Sequence, residues 1–260
     1  MNLQGQNILI TGGGNFGVGS GMCKALSEYG ARLLINEPSM EQLTSVLKEY
    51  PTAVPAVADI SKATEVKVMF DFLKKEVGIV HGLVNNAGIG LSKPVYEVTE
   101  DEFDKLYDVD VRGLWMVSKQ FVQQLLENKM SGNIVNVSSI HAHSTMERYA
   151  IYASAKSAVE GLTRGMAIDL GKHNIRVNAI APGYVHAEQN YALIGSLTSD
   201  AKGWIKQYIE EEQVIPRAIE PVECGYVAAF LLSDLSRSVT GQTIHTDNGS
   251  KIKLLGAMPK

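Results

Sequence analysis

Short apolar runs rich in valine and isoleucine recur along the chain, separated by longer segments of helical period. The runs fall at 7–11, 32–36, 53–58, 82–86, 133–137, 175–180 and 242–246, and they predict seven strands. Their apolar character is nearly continuous rather than alternating, as expected of strands covered on both faces in a parallel sheet. The intervening segments are long enough for crossover helices. One helix is predicted from Met22 to Tyr29. A second opens at Thr99-Glu100-Asp101-Glu102, a cap followed by an acidic first turn. Its apolar positions run from Phe103 and Leu106 through Trp115 and Val117 to Phe121, Leu125 and Leu126. A third carries Tyr152 to Leu170 and is predicted to close at Gly171 as a glycine C-cap. No repeat, low-complexity run or Pro/Gly/Ser linker divides the chain. The expectation is one α/β domain over 1–260, a doubly wound seven-stranded parallel sheet with helices on both faces. One irregular insertion is expected at 184–217.

Composition narrows the partners. Apolar residues make up 45% and charged residues 20% of the 260, an ordinary globular balance. A net charge of -4 gives no electrostatic reason to bind nucleic acid or an anionic membrane. No apolar stretch is long enough for a bilayer span, and the first residues lack the pattern of a signal peptide. A cytoplasmic protein acting on a small molecule is therefore expected. Cys23 and Cys224 lie too far apart to form a ligand cluster by themselves and are expected to be buried, apolar helix residues. His141 and His143 stand in H-x-H spacing without an obvious third ligand, so no metal is expected.

Directly after the first strand comes Thr11-Gly12-Gly13-Gly14-Asn15-Phe16-Gly17-Val18-Gly19. Gly12, Gly14 and Gly17 satisfy G-x-G-x-x-G between a strand and a helix. Such a turn brings backbone close to a pyrophosphate at a helix N-terminus, as in the Rossmann fold. Glu37, at the end of the second strand, is placed to accept the adenosine ribose hydroxyls and to repel a 2′-phosphate. No Arg or Lys lies between Gly12 and Cys23 or at 36–40. NAD is therefore expected over NADP.

Tyr152 and Lys156 are four residues apart and share one helical face. A free phenol, with a pKa near 10, is too weak an acid for proton transfer at neutral pH. An ammonium about 4 Å away, worth roughly 4 kcal/mol at an effective dielectric near 20, brings the phenolate within reach. Ser139, at the C-terminal end of the fifth strand, can hydrogen-bond a reacting oxygen.

With these residues assembled, the chain resembles the short-chain dehydrogenases/reductases of compact single-domain type along essentially its whole length. The matching stretches are the glycine turn, Asp59-Ile60, Asn85-Asn86-Ala87-Gly88 and Asn136-Val137-Ser138-Ser139. They continue with Tyr152 through Lys156, Pro182-Gly183, and Gly241-Gln242 ahead of Asp247. Ser139 lies 13 residues before Tyr152, the usual spacing in that family, which prefers it to Ser138. The resemblance implies Tyr152 as general acid/base, Ser139 as positioner of the substrate oxygen, and Lys156 as holder of the nicotinamide ribose and tuner of Tyr152. It further implies that Gly12, Gly14, Asn15, Phe16, Gly17 and Val18 cradle the phosphates. Asp59 and Ile60 would then flank the adenine. Asn86, Ala87, Gly88, Pro182, Gly183 and the Val185 backbone would line the cofactor. A homotetramer, packed through the long helix around Asp110 and the Tyr152 helix, is also implied.

Three departures from the family pattern stand out. Four residues, not three, separate Gly12 from Gly17. Asp110 replaces the asparagine of the family's catalytic tetrad, which keeps the backbone carbonyl used there but adds a carboxylate near Lys156. Ala187 stands where a threonine usually touches the cofactor amide, a loss of typically about 1 kcal/mol.

The segment between Ser139 and Tyr152 holds His141, His143, Glu147, Arg148 and Tyr149, and the insertion adds His186, Glu188, Gln189, Asn190 and Tyr191. Two polar segments suit a hydroxylated substrate such as a sugar, polyol or hydroxy acid. His141, Arg148 and His186 are the candidate substrate contacts. The expected activity is NAD-linked interconversion of a secondary alcohol and a ketone. Two alternatives stay open: a non-catalytic NAD-binding regulator or scaffold, and an epimerase or dehydratase using bound NAD. The second usually needs a larger C-terminal substrate domain than the residues after Asp247 supply.

Overall fold

The computed structural model describes residues 1–14 and 17–253. In chain order it runs β1 (Asn7–Thr11), α1 (Val18–Glu28), β2 (Arg32–Glu37), α2 (Met40–Glu49), β3 (Val54–Val57), α3 (Ala63–Val77) and β4 (Gly82–Asn85). It continues with α4 (Glu100–Tyr107), α5 (Leu114–Glu127), β5 (Gly132–Val137), α6 (Ala150–Gly171) and β6 (Ile175–Pro182). α7 (Glu188–Leu197), α8 (Ala201–Glu212), α9 (Pro221–Leu232) and β7 (Thr243–Thr246) complete it. The strands form one sheet in the order β3-β2-β1-β4-β5-β6-β7, paired in parallel throughout.

The apolar runs of the central strands divide between two cores. In β1, Ile8 and Ile10 face one layer while Leu9 faces the other, and in β2 Leu33 and Ile35 oppose Leu34. The first core is closed by Met22, Cys23 and Leu26 of α1, Leu43 of α2, and Ala228 and Leu231 of α9. The second is closed by Met69 and Leu73 of α3, Phe121 and Leu125 of α5, and Ala167 of α6. α1 and α9 approach so closely that a Cβ on Gly21 would strike the Pro221 carbonyl, and one on Gly225 would strike the Gly21 carbonyl. That contact seats α1 firmly behind the glycine turn.

The chain order reverses between β1 and β4, which opens a crevice at their C-terminal ends, the usual ligand position in an open α/β sheet. No helix among the described residues is long and apolar enough to cross a membrane.

Three local expectations are corrected. The long helix that begins at the Thr99–Glu102 capping box is interrupted by a π-helical turn at Asp108–Gly113, where Ile60 packs against Gly113 and one extra residue is taken up. Gly171 is the last residue of α6 rather than its cap, and the left-handed turn beyond it falls on Asn174. The insertion at 184–217 is largely helical: α7 and α8 bury Ile194, Ala201 and Ile205 in a small core of their own. It rests on the chain after β7, where the Val214 and Ile215 N–H groups donate to the Asn248 carbonyl and Lys253 Nζ to that of Gln213.

Candidate active site

The crevice is built from two turns tied together. The Thr11 hydroxyl, at the end of β1, accepts hydrogen bonds from the N–H groups of Asn86 and Ala87, each at 3.0 Å. The Asn86 amide donates back to the carbonyls of Thr11 at 3.0 Å and Gly12 at 2.9 Å. Asn86 thus fastens the turn, and its side chain is committed to protein. Gly12 has φ +64, and a Cβ there would meet Ala87 Cα at 2.8 Å, so only glycine fits. Gly17, at φ 113, caps α1, whose first residue is Val18. Asn15 and Phe16 lie outside the described residues.

Glu37 is buried at the end of β2, and its Oε1 accepts a hydrogen bond from the Gly14 N–H at 2.9 Å. The expected acidic partner therefore lies against the glycine turn itself. Beside it, after the neighbouring strand β3, the Asp59 carboxylate accepts from the N–H and hydroxyl of Ser61 and pairs with Lys62 at 3.4 Å, while Ile60 is buried.

The second wall comes from β5, α6 and the π turn. The π turn points Asp110 inward, where its Oδ1 accepts from the Ile89 N–H at 2.8 Å and its Oδ2 lies 3.0 Å from Lys156 Nζ. Both side chains are almost wholly buried. Burial by itself would lower the proton affinity of the Lys156 ammonium. The Asp110 carboxylate, aided by Tyr152, outweighs that and holds Lys156 above the usual lysine range. Lys156 also donates to the Val137 carbonyl at 3.3 Å and lies 5.5 Å from the centre of the Tyr152 ring. Gly88 completes the pocket: a Cβ there would sit 2.9 Å from Asp110 Oδ2 and 3.2 Å from Lys156 Nζ.

Tyr152 stands in an aromatic group. Its ring is 5.6 Å from His141 and 6.1 Å from Tyr149, both edge-on, and His141 stacks on Tyr149 at 4.6 Å. Burial keeps the His141 imidazole below the usual histidine value, so it is neutral at pH 7, and its Nδ1 lies 2.9 Å from the Thr145 hydroxyl. The two serines diverge, as neighbours leaving a strand do. Ser138 Oγ turns to α6, 3.2 Å from the Lys156 carbonyl oxygen and 3.0 Å from Glu160 Oε1. Among the described residues, Ser139 Oγ accepts only a 3.2 Å bond from the His141 N–H, which leaves its hydroxyl proton for another partner.

The other candidates are placed as follows. Pro182 ends β6, and Gly183 packs on Asp247, where a Cβ would meet Asp247 Cα at 2.9 Å. The Val185 carbonyl accepts from the Asn190 amide at 2.8 Å, and its residue bridges Ile219. His186 is exposed, with its backbone N–H on the Ile219 carbonyl. Arg148 is exposed at φ 72 and reaches the Ser92 carbonyl at 3.5 Å, so it is anchored beside the loop after β4 rather than to Tyr152. His143 finds what H-x-H spacing did not supply: Glu160 of α6 at 2.8 Å and His245 of β7. Only the fold could show that grouping, because its members are far apart in sequence.

A family model described as enoyl-(acyl carrier protein) reductase matches residues 13–251. The carbonyl reductase [NADPH] 2 of Sus scrofa is 35% identical over 251 residues, covering 96% of this chain and 98% of that protein. The chain belongs to the short-chain dehydrogenase/reductase family. A second relative within that family is the 5-keto-D-gluconate 5-reductase of Escherichia coli K12, 32% identical over 252 residues, with 95% of this chain and 96% of the relative covered. A solved short-chain dehydrogenase/reductase structure, the gluconate 5-dehydrogenase of Burkholderia cenocepacia J2315 in complex with NADP and tartrate, superposes with a TM-score of 0.89 at 29% identity. It covers 97% of this chain and 98% of that one. Membership supports a nicotinamide dinucleotide cofactor and oxidoreductase chemistry.

Proposed function

We propose that the protein interconverts a secondary alcohol and a ketone on a polar, hydroxylated small molecule of the sugar, polyol or hydroxy-acid class, with NAD(H) as cofactor. The observation that carries this reading is the Tyr152–Lys156 pair on one face of α6, with His141, in the turn that Ser139 caps, edge-on to the Tyr152 ring at 5.6 Å. The glycine turn fits a dinucleotide: Gly12 is left-handed, Gly17 leads into the free N–H groups of α1, and Glu37 borders the turn. A bound nicotinamide supplies the hydride acceptor or donor.

The chain's own residues do the remainder. Tyr152 takes the hydroxyl proton of the alcohol, or returns one to the carbonyl oxygen, within reach of Lys156. Ser139 donates its hydroxyl to the same oxygen and opposes its developing charge. Lys156, kept charged by Asp110, holds the cofactor ribose and keeps positive charge below the Tyr152 ring. His141, neutral and stacked on Tyr149, offers one hydrogen bond to a substrate hydroxyl, and the exposed Arg148 and His186 are the further candidate contacts. The substrate class is supported by these polar groups and by relatives named for keto-gluconate and gluconate.

Glu37 supports NAD, because a 2′-phosphate brought to the turn would meet a buried carboxylate. NADP(H) is the rival, since carbonyl reductase 2 is named for NADPH and the gluconate 5-dehydrogenase was solved with NADP. Two further proposals follow: the helical pair within 184–217 borders the substrate, and the chain assembles as a cytoplasmic homotetramer through α5 and α6. Trp115 and Ile168 are exposed on those helices.

The test is a panel of aldonates, polyols, hydroxy acids and apolar secondary alcohols with NAD or NADP, followed by reduced-nicotinamide absorbance. Turnover with NAD on at least one member supports the reading. Turnover confined to NADP overturns the cofactor assignment, and turnover confined to apolar alcohols overturns the substrate class.

A further inference from the structure

His143, in the loop after β5, lies with its Nε2 2.8 Å from Glu160 Oε2 on α6. His245, on β7, brings a third donor, and the ligand atoms of all three lie within 4.8 Å of one another. Glu160 is buried and His143 exposed, so the group opens to solvent on one side. A hydrogen-bonded His–Glu pair would explain two members. It does not explain His245, whose Nε2 is buried without a hydrogen-bond partner among the described residues. A buried imidazole nitrogen left unpaired is costly unless something binds it.

We propose that His143, Glu160 and His245 form a binding site for a divalent transition-metal ion of the zinc class, with its fourth position open to solvent. Two imidazoles and one carboxylate are a ligand set that zinc takes with water as the fourth ligand. Bonds of about 2.0–2.2 Å put neighbouring ligand atoms of a tetrahedral ion about 3.4 Å apart. The His143–Glu160 spacing of 2.8 Å has to open to that value, and any spacing to His245 between it and the 4.8 Å limit has to close, changes within the range of side-chain rotation. The Ser138 hydroxyl, 3.0 Å from Glu160 Oε1, holds the carboxylate from behind. Magnesium, which prefers six oxygen ligands, does not suit the set. The site uses none of the groups that carry the proposed hydride chemistry. It fastens β7 and the loop after β5 to α6, one helical turn beyond Lys156.

The test uses the full chain freed of metal by chelation and titrated with zinc chloride in a calorimeter, with magnesium chloride as comparison. Expected are one zinc per chain, no magnesium binding, and at least tenfold weaker zinc binding in both His143→Gln and His245→Gln. Ser138→Ala is expected to weaken it about tenfold, and His173→Gln, at an exposed histidine elsewhere, to leave it unchanged. X-ray absorption of the zinc-loaded natural chain needs no variant. A nitrogen and oxygen shell with imidazole scattering supports the site; a sulfur shell assigns the metal to Cys23 or Cys224 and overturns it. Undetectable zinc binding, or binding insensitive to both histidine variants, also overturns it. None of these readouts depends on turnover.

Discussion

The Asp110 carboxylate lies 3.0 Å from the Lys156 ammonium in a buried pair. In the family pattern this position is an asparagine, so here the positive charge below Tyr152 is shared with a carboxylate. Asp110→Asn keeps an oxygen for the Ile89 N–H but removes the negative charge. Burial, no longer offset by that carboxylate, then lowers the proton affinity of the Lys156 ammonium, so the midpoint of the alkaline limb of alcohol oxidation should fall, by on the order of one pH unit. A pH profile of kcat/KM for oxidation measures it; a midpoint that rises or stays fixed contradicts the electrostatic role given to the pair.

Breaking the pair from the other side is more costly. Lys156→Met leaves Asp110 buried without its cation, and losing one partner of a buried pair typically costs about 3–5 kcal/mol. Urea unfolding at pH 7 checks this. A loss below about 1 kcal/mol would mean that the pair is solvated in solution.

Cofactor choice is assigned to one side chain. Glu37→Ala removes the carboxylate against Gly14 and should narrow the ratio of NAD to NADP affinity by roughly tenfold or more. Fluorescence titration of both reduced cofactors reads the ratio directly. A natural chain that binds both equally, or an unchanged ratio in the variant, would show that Glu37 does not read the ribose.

Much of this arrangement was legible in the chain. The seven strands could be found because runs such as Ile8-Leu9-Ile10 are buried on both faces, so neither periodicity nor exposure interrupts them. The glycine turn, Glu37 and the Tyr152–Lys156 pair were legible because strand ends and helical spacing fix them locally. Other features depend on contacts between distant segments. The π turn that aims Asp110 inward has no local pattern, and its packing of Gly113 on Ile60 exists only in the folded chain. His245 reaches Glu160 only because β7 joins the sheet beside β6. Gly171 was misassigned because helix α6 runs on past the point where glycine usually stops one, and Asn174 takes the left-handed turn instead.

Alkaline stability follows from the two buried thiols. Burial pushes Cys23 up to about 12 and Cys224 up to about 11, against 9.0 for the free group. In the unfolded chain both ionise near pH 9, whereas the folded chain keeps both protons, so it binds more protons above that pH. Stability should therefore fall as pH rises from about 9 towards 11, with a limiting slope of about 1.4 kcal/mol per pH unit for each thiol. Urea midpoints over that range measure it. The Cys23→Ala, Cys224→Ala double variant should lose stability less steeply, and an identical slope would assign the effect to other groups.

Catalysis by Tyr152 is the central claim, and its most direct test is Tyr152→Phe, which keeps the ring against His141 and removes only the hydroxyl. Reduced-cofactor binding and kcat should be measured together on the best substrate of the panel. Binding within a few fold of the natural chain and a kcat lower by roughly 10²–10⁴ are predicted, the range for loss of a general acid/base. Undiminished turnover in that variant would contradict the account.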